Sequence, residues 1–142
     1  MKHPVVRIFA PILAAVALAG CQADSRQQIL HMDKSQVALR SAQSRAFDTA
    51  DTELTVRTII ATLQDLGFTV DKVDQTLGLV SATKAGNYVM KMTVTARPRG
   101  VDQIVVRASA QHNLTAVSDV APYQQFFDSL AQSLFLEAHD VI

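Results

Sequence analysis

Tyr88-Val89-Met90-Lys91-Met92-Thr93-Val94-Thr95-Ala96-Arg97, then the turn residues Pro98-Arg99-Gly100, then Gln103-Ile104-Val105-Val106-Arg107-Ala108-Ser109-Ala110-Gln111: this stretch decides the fold. In the first run Tyr88, Met90, Met92, Val94 and Ala96 alternate with Val89, Lys91, Thr93, Thr95 and Arg97, so one side is apolar and the other, Val89 apart, is polar. The second run repeats the pattern, with Ile104, Val106, Ala108 and Ala110 on one side and Val105, Arg107, Ser109 and Gln111 on the other. A period of two marks strands, and a single apolar face marks an antiparallel sheet covered on one side.

Working outward towards the N-terminus, two further strand-like runs precede this hairpin. Phe68–Val73 is followed by the turn residues Asp74-Gln75-Thr76, and Leu77–Lys84 by Ala85-Gly86-Asn87. Before them Val56, Ile59, Ile60, Leu63 and Leu66 recur at helical spacing, with Asp51 at the N-cap position, Glu53 in the first turn and Gly67 where a positive φ ends such helices. Ser44–Thr49 reads as one more short strand. Towards the C-terminus, Ser118 or Asp119 can cap a second helix, Pro122 suits its first turn, and Tyr123, Phe126, Phe127, Leu130, Leu134 and Ala138 line one side of it. The expected fold is α+β: an antiparallel sheet of four to five strands covered on one face by two helices, in the order β-α-β-β-β-β-α. The large rings of the last helix should interdigitate with the small Ala108 and Ala110 of the last strand.

This order resembles the helix-grip domains of the lipoprotein C subunit of the outer-membrane β-barrel assembly machinery. The resemblance covers about residues 41–138 and rests on topology, on the Leu66-Gly67-Phe68 join and on the Leu77-Gly78-Leu79 strand start. That subunit carries two such domains and a long unstructured arm, whereas one domain and a short tether are read here. The resemblance therefore implies a fold and an envelope setting, and no functional residue is transferred. The stretch Leu63-Gln64-Asp65-Leu66-Gly67-Phe68 is also similar to one found in small envelope lipoproteins of no defined activity.

The first twenty residues set the expected address. Lys2 and Arg7 precede an apolar run from Ile8 to Leu18, and Ala19 and Gly20 precede Cys21, the layout of a secretory signal. About eleven apolar residues at 1.5 Å each reach roughly 17 Å, short of the roughly 30 Å hydrocarbon layer, and Pro11 interrupts them. Leu18-Ala19-Gly20-Cys21 resembles the bacterial lipobox, which implies cleavage before Cys21 and its lipidation. Cys21 is the sole cysteine, so no internal disulfide can form, and a lipid thioether accounts for a thiol that would otherwise stand free in an oxidising compartment. Three acyl chains, the number that family carries, exceed the two-signal requirement for stable anchoring. Gln22 in place of the Asp that retains such proteins in the inner membrane implies the periplasmic face of the outer membrane. The domain reading is therefore residues 1–20 signal peptide, 21–40 lipidated cysteine and polar tether, and 41–142 a single domain.

Charge and motifs narrow the function. The chain holds thirteen Lys and Arg against thirteen Asp and Glu, and loss of Lys2 and Arg7 with the leader leaves eleven against thirteen, no footprint for nucleic acid. About 120 remaining residues should bury roughly two thirds of their unfolded surface in one core. His31, His112 and His139 lack the spacing a zinc site needs, and no Gly-x-Ser-x-Gly or Gly-rich phosphate loop is present, so neither enzyme chemistry nor a cofactor is expected. Asp65, Asp71 and Asp74 read as solvated charges, and Asn113-Leu114-Thr115 as an incidental glycosylation sequon.

Candidate partner surfaces are Arg97 and Arg99 on a basic hairpin tip, which reads first as an ordinary solvated turn and second as a contact for lipid phosphates or another acidic surface; Lys91 and Arg107 on the open sheet face; and Phe135 and Leu136, which read first as closure of the core and second as a docking patch. The expected function is that of a non-enzymatic envelope lipoprotein, an accessory or scaffold subunit of an outer-membrane or trans-envelope complex with a protein partner. The alternative is a carrier that holds an apolar ligand between helix and sheet, where Met90, Met92, Ala108 and Ala110 leave space.

Overall fold

The computed structural model describes residues 35–135 and 138–140. The readings made on residues 1–34, Cys21 and Gln22 among them, and on Leu136 lie outside the described residues. The compact unit spans Ala38–Ile142. Residues 35–42 are helical (α1), and Leu39 and Ala42 pack against the core, so the domain takes in the last residues read as tether. There follow β1 (Ser44–Phe47), α2 (Thr52–Asp65), β2 (Thr69–Asp74), β3 (Leu79–Lys84), β4 (Met90–Arg99), β5 (Gln103–His112), the two-residue β6 (Thr115–Ala116), α3 (Ala121–Leu134) and β7 (Ala138–Asp140). The fold is α+β with an antiparallel sheet, as its patterning predicts. Its spatial order is β2-β3-β4-β5-β1-β7, with β6 pairing off β5.

The helices start and stop for local reasons. Asp51 caps α2, its carboxylate accepting from the Leu54 amide at 2.8 Å, and Gly67 follows the helix with φ 83°. Thr55 and Thr62 are buried on the inner side of α2 together with Val56, Ile59 and Leu63. A wheel drawn from apolar residues alone misses both threonines. Thr55 satisfies its hydroxyl on the Asp51 carbonyl at 2.8 Å, whereas the Thr62 hydroxyl has no partner.

The inner face of the sheet is the face the alternation selects. Val80 and Ala82 of β3, Met92, Val94 and Ala96 of β4, and Ile104, Val106, Ala108 and Ala110 of β5 are buried in matching register. Phe47 extends the row on β1. Tyr123, Phe126, Phe127 and Leu130 of α3 enter the same cluster as the small Ala96, Ala108 and Ala110, large groups against small. The buried Tyr123 hydroxyl ties three segments to α3: it accepts from the Ala110 amide at 3.1 Å and from Gln43 Nε2 at 3.2 Å, and donates to the Val117 carbonyl at 3.0 Å. Tyr123→Phe should cost about 1–3 kcal/mol, because the Ala110 amide stays buried with its partner gone. A urea titration with unchanged stability would show that water replaces the hydroxyl.

Three expectations are corrected. The last helix ends at Leu134 instead of running on to Ala138. Phe135 takes φ 54°, its amide closes the turn on Gln132, and Ala138–Asp140 becomes a strand beside β1 with Phe47 opposite Ala138. The sheet therefore exceeds the four to five strands expected. The hairpin after β4 is tighter than Pro98-Arg99-Gly100 implies, because the ladder continues through Pro98 opposite Ile104 and Arg99 opposite Gln103. Pro98 is tolerated there for a simple reason. The Ala96 amide bonds the Gly78 carbonyl at 2.8 Å and β3 pairing reaches no further, so the N–H that proline lacks would have faced no strand.

Candidate functional site

Alternation along β4 and the β4–β5 register gather on one side the cations that the sequence distributes over thirty-odd residues. The inner face belongs to Met92, Val94 and Ala96, so Lys91, Arg97 and Arg99 point outward. Arg107 lies opposite Thr95 on β5, and Lys72 lies opposite Ser81 at the far side of β3, so both share that outward face. All five side chains are exposed. Arg107 Nε donates to the Ser44 hydroxyl at 3.3 Å, and none of the five forms an ion pair with a described carboxylate. Ser44 and Ala46 of β1, opposite Arg107 and Val105, share this face and are buried, so it is open from β2 to β5 and covered at β1. Asp71 sits at its margin, in the β2 bulge, accepting from the Thr83 hydroxyl.

The sequence puts Arg97 at the end of the strand, on its polar side at the hairpin tip, and Arg99 in the turn; in the structure the strand runs on through Arg99, and both stand beside Lys91 and Arg107. The opposite surface has the other sign. Glu53, Asp65 and Asp128 are exposed on α2 and α3, with Arg57 paired to Glu53 at 3.9 Å. The domain is thus polarised across its two layers, although its summed charge is small.

Phe135 stands apart from this face. It is 94% exposed, so it does not close the core, because the left-handed turn at its own backbone directs the side chain away once Leu134 has ended the helix. Strand addition is poorly served at the β2 edge. That edge is bulged between Val70 and Lys72 and carries Asp71, Lys72 and Asp74, devices that discourage pairing with another chain.

A second feature has no counterpart in any sequence motif. Where α2 ends, α3 begins and the β3–β4 turn folds over, a cleft of about 290 Å3 opens, with Leu66, Phe68, Met90 and Met92 as apolar lining and Lys84 and His112 among its polar groups. It does not extend over Ala108 and Ala110, which are buried under α3. The space expected between helix and sheet thus lies at the end of the sheet, because the rings of α3 fill the middle. Lys84 Nζ donates to the Leu66 carbonyl at 2.8 Å and stands 5.7 Å from the centre of the Phe68 ring. His112 meets the Tyr88 ring edge-on at 6.2 Å, and its Nδ1 is buried with no hydrogen-bond partner. Of the four residues expected to leave space, Met90 and Met92 line this cleft and Ala108 and Ala110 do not; the rest of its lining comes from other segments and carries no sequence signal.

Among the described residues no cluster of three or more His, Cys, Asp or Glu could hold a metal ion, and no helix is long and apolar enough to cross a membrane. No protein-family model matches the chain, and no curated protein matches it.

Proposed function

We propose that the chain is a non-enzymatic lipoprotein of the bacterial envelope, moored through Cys21 to the periplasmic face of the outer membrane, where its domain serves as an adaptor subunit that docks an acidic protein surface. The observation that carries this reading is the set of Lys72, Lys91, Arg97, Arg99 and Arg107, all exposed on one sheet face, with no described carboxylate paired to any of them. A flat sheet presenting cations among Thr93, Ser109 and Gln111 favours a broad polar contact steered by charge. The lipobox-like Leu18-Ala19-Gly20-Cys21 supports the mooring. The helix-grip reading belongs with it, with α3 in the part of the gripped helix, and the resemblance to envelope subunits of that fold supports an assembly role.

Mild crosslinking in intact envelopes, followed by purification of the lipidated chain, tests the reading. One stoichiometric partner should be recovered, and Lys91→Glu/Arg97→Glu/Arg99→Glu, which changes only exposed positions, should lose it while keeping its thermal midpoint. Equal recovery by the variant, or no partner at all, overturns the adaptor reading. A chain extracted as a water-soluble protein with a reactive thiol at Cys21 overturns the mooring.

A further inference from the structure

The inner face of the sheet outruns its helical cover by one rung. Ala82, Met92 and Ala110 lie side by side across β3, β4 and β5, and all three are buried. The next rung outward is Lys84, Met90 and His112, in the same register and facing the same way. There the cover stops: α2 has ended at Asp65 and α3 starts only at Ala121. The cleft of about 290 Å3 is the space left over this last rung.

We infer that this cleft binds a single-chain amphiphile with a carboxylate head, a medium-chain fatty acid, with its tail on Phe68, Met90 and Met92 and its head on Lys84. The apolar part of the site is deformable, since two thioether chains can re-pack around an alkyl chain. The space, about 290 Å3, is on the scale of a medium-length alkyl chain. The polar part has one sign. No Asp or Glu lines the cleft, and the ammonium of Lys84, donating one hydrogen bond to the Leu66 carbonyl, keeps two donors for an anion. An uncharged chain would leave those donors unused, and a cationic one would meet Lys84. This site lies on the inner side of the sheet, uses none of the outward-facing cations, and stands or falls independently of partner docking.

The test uses the full lipidated chain in bilayer nanodiscs with a decanoic acid carrying a diazirine on its alkyl chain, photolysed and mapped by mass spectrometry. The decanol analogue bearing the same diazirine serves as the uncharged control. Labelling by the acid should fall on residues of the cleft, saturate, and be displaced by plain decanoate. It should drop about tenfold in Lys84→Met, the effect of one lost charge-assisted hydrogen bond, and persist in Lys84→Arg. Acid and alcohol labelling the cleft equally, or adducts falling only outside it, would overturn the inference. If Lys84→Met fails to fold, the acid–alcohol comparison on the unaltered chain decides alone.

Discussion

Phe127→Ala is expected to lower the unfolding free energy by about 3–5 kcal/mol, the range for deleting a fully buried aromatic side chain. The ring is 2% exposed, meets Phe126 edge-to-face at 5.1 Å and carries the Arg45 guanidinium 5.5 Å above its centre. Truncation therefore opens a cavity between α3 and the sheet and leaves a half-buried guanidinium without its aromatic face. At about 4–8 °C per kcal/mol for a domain near this size, the melting midpoint should fall by roughly 12 °C or more. Phe135→Ala is the internal comparison: eight residues on, with its ring in solvent, it should change the midpoint hardly at all. Equal melting of the two variants would mean that α3 does not seat on the sheet by its Phe127 side.

The second large effect is expected at a glycine. Gly78 has φ 59°, and a Cβ built there would penetrate the Ala96 carbonyl oxygen, which belongs to the adjoining strand and cannot swing aside. Gly78→Val combines about 1–2 kcal/mol for a left-handed backbone with about 1–3 kcal/mol of overpacking. Amide exchange should localise the damage, because the Ala96 amide donates to the Gly78 carbonyl and should lose protection first. Gly100→Ala isolates the backbone contribution: φ is 71°, yet nothing lies within contact of an added Cβ, so it should cost about 1 kcal/mol. Should the two substitutions prove equally mild, the close approach of β3 to β4 at Gly78 would be refuted.

Polarisation of the domain also follows from local rules acting through register. A strand that buries Met92, Val94 and Ala96 has no choice about where Lys91, Thr93, Thr95 and Arg97 go. That half of the basic face was legible in β4 alone. Arg107 and Lys72 join it only because β5 and β3 pair with their neighbours in one register, and a slip of a single residue would send each to the other side.

The amino-acid order by itself determined the elements with strong local causes: the alternation of β4 and β5, the period of α2 between Asp51 and Gly67, and the aromatic stripe of α3. Each depends on residues within a few positions of one another, so propensity, capping and pattern agree there without help. Where α3 ends was not written locally. Leu134-Phe135-Leu136-Glu137-Ala138 continues the helical pattern in good helix formers, and the change to strand at Ala138 becomes worthwhile only where the free edge of β1 offers hydrogen bonds to Ala138–Asp140. The cleft belongs to the same class. Leu66, Lys84, Met90 and His112 meet because long-range strand pairing and the lengths of two helices leave the last rung of the sheet uncovered, and no short-range signal encodes a gap between elements.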